Sequence, residues 1–249
     1  MAKSKLDFIH EAEDTLEGFE DINSSTKAIP FLKLAQDLTP QTKKNKPEYI
    51  EGLEVGQFFN SVTGDVYGTE IDVIIAKFEH MYIEWKPDRG GFVQYLTPEV
   101  AEKEATDKSV FGKWKTASGN ELREYYAYYT IIAGREEEGI LIMSLTSTAI
   151  KTAKMLNKMM TTHLMDDVDK NGKPTQVKAK PFYLVYTLNS ALQTKGANDF
   201  YGYRFTFKDF INEKQYAVVG TERVALPDKT VNYAALEDHS AQVVGEDDF

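Results

Sequence analysis

The stretch Glu70–Pro87 constrains the chain most. Its side chains alternate between apolar and polar over much of its length, the two-residue period of a half-buried strand. It is rich in the β-branched and aromatic residues that fit a pleated surface, among them Val73, Ile74, Ile75, Phe78, Tyr82, Ile83 and Trp85. A strand of this length outruns an ordinary flat sheet. It is long enough to bend through two sheets, as barrel strands do. Asp88-Arg89-Gly90-Gly91 supplies a turn, and Phe92–Tyr95 runs back.

Other segments repeat the β signal. Phe58–Val62 reads as a strand, followed by a hairpin turn at Thr63-Gly64-Asp65. Tyr125–Ala133 and Ile140–Leu145 read as two strands joined by the hairpin Gly134–Gly139. Within Tyr125–Tyr129, alternation opposes Tyr125 and Tyr129 to Tyr126 and Tyr128, and one side should be core. Pro181–Asn189 and Phe200–Phe210 add two more strands. Ile29–Gln36 is a short apolar strand or turn, and residues 37–47 form a basic loop.

Helical spacing is confined to fewer places. Leu6, Ile9, Ala12, Glu13, Leu16 and Phe19 fall at helical spacing, with acids between, and predict an acidic amphipathic helix over residues 6–22, with Ser24-Ser25-Thr26 as linker. Thr97-Pro98-Glu99 opens a short charged helix over residues 97–109. Ser147 or Thr148 caps a helix to about Leu164. Its stripe is Ala149, Ala153, Leu156, Met160 and Leu164, and Lys151, Lys154 and Lys158 lie on another face. A last short helix is expected over residues 211–219. Several strands, one embedded helix and no β-α alternation predict a mainly β, α+β fold. The expected architecture is a Greek-key barrel of the oligonucleotide-binding (OB) type with elaborated loops and an internal helix. A sandwich gives the same sequence signals.

At 249 residues the chain fits one large domain or two small ones. Zero cysteines exclude disulfides and thiolate metal sites. No run approaches the roughly 20 apolar residues of a membrane helix, and the N-terminus lacks a signal-peptide core. An intracellular protein is the expectation. The net charge of −10 argues at first against a nucleic-acid partner, but its distribution reverses that. Residues 1–24 carry −5 and residues 237–249 another −5, which leaves residues 25–236 neutral. A neutral body can still gather its cations on one face. The expected organisation is therefore an acidic amphipathic segment (1–24), an OB-type domain (25–236) and a disordered acidic tail (237–249).

The tail ends in Glu246, Asp247, Asp248 and Phe249, with no Lys or Arg after Lys229. It resembles the C-terminus of bacterial and phage single-stranded-DNA-binding proteins. The body resembles a tailed-phage family commonly assigned to the same role. That likeness is carried by Pro30-Phe31-Leu32-Lys33, by Tyr49–Gly64, by Tyr82–Pro87 and by Gly90-Gly91-Phe92. It continues through the Lys-rich helix at 150–160 and Tyr201-Gly202-Tyr203, and covers most of residues 29–210. The resemblance implies an OB-type fold and work in phage replication or recombination, in the cytoplasm of the infected bacterium. It implies two kinds of partner: single-stranded DNA, and phage or host replication proteins (polymerase, primase-helicase or nuclease) held by the four tail residues.

Sequence-independent strand binding needs cations for phosphates and ring faces for unpaired bases. Three clusters combine them. The first is Tyr82, Trp85, Lys86, Arg89 and Phe92; the second is Lys113, Trp114 and Lys115. The third is Tyr201, Tyr203 and Arg204, with Lys178 and Lys180 ahead of the neighbouring strand. Lys151, Lys154 and Lys158 add a helical row. Against this stands the tendency of a strand aromatic to be core. Competing readings are a strand-annealing recombination protein, a non-catalytic virion or scaffold component, and a metal-dependent nuclease. The last is weak: Asp166, Asp167 and Asp169 could hold Mg²⁺, but no distant acid or Lys stands at a motif spacing that supports it. Asp167-Val168-Asp169-Lys170-Asn171-Gly172 opens like a calcium loop, but Lys178 stands where the closing Glu belongs. An Asn-Gly turn explains the run better. No catalytic motif, cofactor or metal is expected.

Overall fold

A computed structural model describes residues 28–87, 90–108, 113–196 and 198–225. The helix expected over 6–22 and the acidic tail lie outside these residues.

The long strand is present as β4 (Glu70–Trp85). It follows three short strands, β1 (Leu32–Leu34), β2 (Phe58–Asn60) and β3 (Val66–Gly68), which form a sheet of their own. β4 pairs along most of its length with β8 (Glu121–Ile132). On its other edge it meets β12 (Leu184–Lys195) through Glu70–Ile74 and β5 (Phe92–Leu96) through Tyr82–Trp85. β12 in turn pairs with β13 (Asn198–Phe210). The far edge of β8 is likewise divided. β7 (Lys113–Thr116) and then β6 (Ala105–Lys108) extend its start, and β9 (Leu141–Thr146) extends its end. Two long strands thus form the spine, and each end of the spine carries its own neighbours.

The sheet curls into a half-barrel. A parallel bridge between Phe31 and Ile142 joins β1 to β9. At the opposite margin the side chain of Gln36 spans to β13. Its Nε2 donates to the Tyr201 carbonyl at 2.8 Å, and its Oε1 accepts from the Tyr201 N–H at 2.9 Å. One side-chain amide therefore does there what a strand does elsewhere. Gly56 (φ 86°) makes room for this seam, because a Cβ there would lie 2.6 Å from the Tyr201 ring.

The helix α2 (Ile150–Thr162) plugs the curl, with Ala153, Leu156 and Met160 buried. They pack into one cluster with Leu32, Phe58, Ile71, Val73, Ile75, Tyr128, Met143, Tyr186 and Leu188. Burying Leu156 contributes about 1.5–3 kcal/mol, and Leu156→Asp would break the plug. Tyr128 ties strand to helix, its hydroxyl donating to Asn157 Oδ1 (2.8 Å) and the Ala153 carbonyl (3.1 Å). Outside the curl, Val219 of α3 (Glu213–Ala225) covers Ile74, Ala76, Ile131 and Val185. That helix opens with a reciprocal cap: Gln215 N–H donates to Asn212 Oδ1, and Asn212 N–H to Gln215 Oε1. The remaining helix, α1 (Pro98–Glu104), is capped by Thr97 Oγ1.

Several expected boundaries move. The helix expected over 97–109 ends at Glu104, because Ala105, Asp107 and Lys108 pair with β7 instead. Ser147–Ala149 is a 3-10 turn without a side-chain cap, so α2 starts later than expected. Leu164 does not close its apolar stripe. It is half-exposed and opens the hairpin of β10 (Leu164–Val168) and β11 (Pro174–Lys178). The tip of that hairpin is the Asn171-Gly172 turn, with Asp169 Oδ1 accepting from Asn171 and Lys173 N–H. Pro181–Tyr183 is a 3-10 turn rather than strand, while β12 runs on to Lys195. Both sides of Tyr125–Tyr129 are core, not one: Tyr125 and Tyr129 pack in one cluster, Tyr126 and Tyr128 in another.

Candidate functional site

The site begins at the register shift of β4. Ile71, Val73 and Ile75 face the plugged core. An irregularity between Ile75 and Lys77 advances the strand by one residue, so that Phe78, His80 and Tyr82 continue the same face. Across the ladder stand Tyr128, Tyr126 and Glu124 of β8, opposite Phe78, His80 and Tyr82. The result is a continuous row of rings. Trp114 stacks on Tyr82 at 4.8 Å and 19°. Tyr82 neighbours His80 (5.6 Å), His80 meets Tyr126 edge-on (4.6 Å), and Phe78 contacts Tyr126 (5.3 Å) and Tyr128 (5.0 Å). Phe78 is exposed, and His80 and Trp114 are half-buried, while Tyr82, Tyr126 and Tyr128 are sealed. The row thus presents three accessible rings on a rigid bed.

Cations flank it. Lys154 of α2 lies 3.5 Å from Glu124, and Lys151 and Lys158 stand exposed on the same helix. At the other end Lys108 lies 5.0 Å from the Trp114 ring centroid. Glu124 organises the middle, contacting His80 Nε2 (3.1 Å) and accepting from the Tyr126 hydroxyl (3.0 Å). Burial pushes the Tyr82 hydroxyl up to about 12, with Glu124 adding to the shift. Burial also holds the His80 imidazole below its ordinary value, although Glu124 pulls it the other way. Around neutral pH the ring is an uncharged stacking surface.

The three sequence clusters come apart. In the first, Tyr82 belongs to the row, but Trp85 and Phe92 lie on the opposite face of β4 with Met81, Ile83 and Tyr125. Alternation alone separates Tyr82 from Trp85. Lys86 is exposed beyond Trp85, and Arg89 lies outside the described residues. In the second cluster, Trp114 joins the row, while Lys115 is exposed on the alternate face of β7. The side chain of Lys113 is not among those described.

In the third cluster, Tyr201 and Tyr203 pack against the plugged core at the seam. They line a cleft of about 240 Å³ with Phe31, Tyr125 and the start of α2. In it the Tyr125 and Ser144 hydroxyls bond each other at 2.6 Å, and the Gln36 side chain is taken up by the Tyr201 backbone. Arg204 and Lys178 are exposed elsewhere, and Lys180 sits about 6 Å from Phe182 and Tyr183 beside α3. Four site residues escaped the sequence: Phe78, His80, Glu124 and Lys108. The parity of 78, 80 and 82 was readable; the bulge and the β6–β7 pairing that bring in Tyr128 and Lys108 were not.

No group of three or more His, Asp or Glu residues that could hold a metal occurs among the described residues. No helix of the described residues is long and apolar enough to cross a membrane.

Fold and site together define a β-rich α+β protein whose curled sheet carries a ring row along one face. The family described as Pam3 phage gp34-like protein matches residues 1–229, and the chain belongs to it. It is thus a phage protein, as its resemblances implied. No curated protein and no solved structure matches the chain.

Proposed function

We propose that this protein binds single-stranded DNA without sequence preference during phage replication or recombination, in the cytoplasm of the infected bacterium. The observation that carries the reading is the row Trp114–Tyr82–His80–Tyr126–Phe78, bordered by Lys154 at one side and Lys108 at its end. Bases stack on accessible rings whatever their identity, at about 1–3 kcal/mol per base, and lysines follow the phosphates. The proposed site is Phe78, His80, Tyr82, Lys108, Trp114, Lys151, Lys154 and Lys158.

The connectivity supports an OB-type barrel. Taking β4, β8, β9, β12 and β13 in order, the long first strand lies between the second and the fourth, and the second neighbours the third. The fourth neighbours the fifth, and a helix sits between the third and the fourth. An oligonucleotide-binding barrel connects its five strands and helix in the same order, which supports this reading. The tail residues Glu246, Asp247, Asp248 and Phe249 are assigned to recruiting replication proteins, as a carboxylate run before an apolar tip suits a basic-rimmed pocket.

A fluorescence titration against oligo-dT, oligo-dA and a duplex of equal length tests the reading. It predicts tight binding to both single strands, weaker binding to duplex, and affinity that falls steeply with salt. Absence of binding at low salt would overturn it.

A further inference from the structure

The outward face of α2 has an apolar centre in a basic frame. Met155 is 60 % exposed, and with Ile150 it floors a shallow hollow edged by Lys151, Lys154 and Lys158. Lys151 and Lys158 make no ion pair with the described residues, and Lys154 reaches Glu124 only at 3.5 Å. Such a face matches a segment of the opposite pattern, with an apolar stripe flanked by acids.

The chain owns one. Leu6, Ile9, Ala12, Leu16 and Phe19 recur at helical spacing, with Glu13 on the same face, among Asp7, Glu11, Asp14, Glu17 and Glu20. The segment 6–22 would span about 25 Å as a helix and the 13-residue α2 about 20 Å, so their lengths agree. The described chain also begins in the right place. Ala28 leads into Phe31, which lines the seam cleft together with Ser147, Thr148 and Ala149. Ser147 and Thr148 line the α2 hollow as well, so the two depressions adjoin. The five residues 23–27 reach about 17 Å when extended. The other acidic stretch fits less well. The chain leaves α3 on the outside of the curl, and residues 237–249 lack a helical apolar stripe.

We propose that residues 6–22 dock on the Met155–lysine face of α2 of the same chain. The docked segment covers three of the cations assigned above to DNA, so where strand binding holds, the two compete for that face. Docking itself is read without DNA, so its failure is distinguishable from failure of strand binding.

The absence of cysteine makes the test direct. Full-length chains carry Met155→Cys together with Ile9→Cys, Leu16→Cys, Phe19→Cys or, from the polar side, Asp14→Cys. Met155 is exposed, so its replacement spares the fold. Mild oxidation should give an intramolecular disulfide for at least one stripe position, several-fold above Asp14→Cys. Adding Lys151→Glu, Lys154→Glu and Lys158→Glu should reduce that yield several-fold. No stripe position exceeding Asp14→Cys would overturn the proposal. So would disulfide-linked dimers, which place a second copy's segment there, or a higher yield from Phe249→Cys, which places the tail there.

Discussion

β4 and β8 carry two sets of rings back to back, and their fates differ. On one face Trp114, Tyr82, His80, Tyr126 and Phe78 run beside α2 and its lysines. On the other, Trp85, Phe92, Tyr95 and Tyr125 form a second chain of contacts, 5.1–5.9 Å between centroids, folded under β5. Both sets satisfy the edge and stacked geometries aromatic pairs prefer. What separates them is the neighbourhood. The first set has Phe78 exposed and His80 and Trp114 partly exposed beside cations. The second packs with Phe31, Met81, Ile83 and Ile142, and its Trp85 is 7 % exposed. A tryptophan next to a lysine in sequence is therefore a poor guide to a binding platform; the face of the strand decides.

The contrast can be broken at several points. The largest effect belongs to the outer set. Trp85→Ala should lower unfolding free energy by about 3–5 kcal/mol in a urea titration while the folded fraction keeps its DNA affinity. Next comes the inner border. Lys151→Glu with Lys154→Glu and Lys158→Glu should weaken oligo-dT binding by about 10–100-fold at low salt. It should also flatten the log-affinity against log-salt slope by about 2. Lys86→Glu, beyond the outer set, should change neither. Trp114→Ala should cost about 1–3 kcal/mol of binding, measured by the same titration.

The smallest effect is the pH response of His80. Its folded-state value lies below its unfolded one, so the unfolded chain binds the extra proton first as pH falls. The stability it contributes is present above the ordinary histidine value and is lost as pH drops through the folded value. Melting curves between about pH 7.5 and 5 should show His80→Gln losing less than the wild type. An equal loss would contradict the burial of His80.

Much of this was legible in the residues. The period of Glu70–Pro87 announced the spine, and Ala153, Leu156 and Met160 announced the plug. The ring row was harder to read for two physical reasons. A single extra residue near Ala76 flips the face of everything after it, and no local signal marks that shift. Lys108 reaches Trp114 only because Ala105–Lys108 leaves a helical pattern to pair with β7, a tertiary override of local propensity. Charge segregation between chain ends and body was plain in the sequence. Which cations share a face with which rings depended on pairing partners far along the chain.

The two tryptophans report separately on the two faces, which makes one measurement decisive. Trp85→Phe leaves Trp114 as the sole indole, and the Trp85 Nε1 has no hydrogen-bond partner among the described residues to lose. Trp114→Phe leaves Trp85 alone. On titration with oligo-dT at low salt, the first variant should show strong quenching of its emission and the second almost none. Quenching confined to the variant that retains Trp85, or no response from either, would contradict the account.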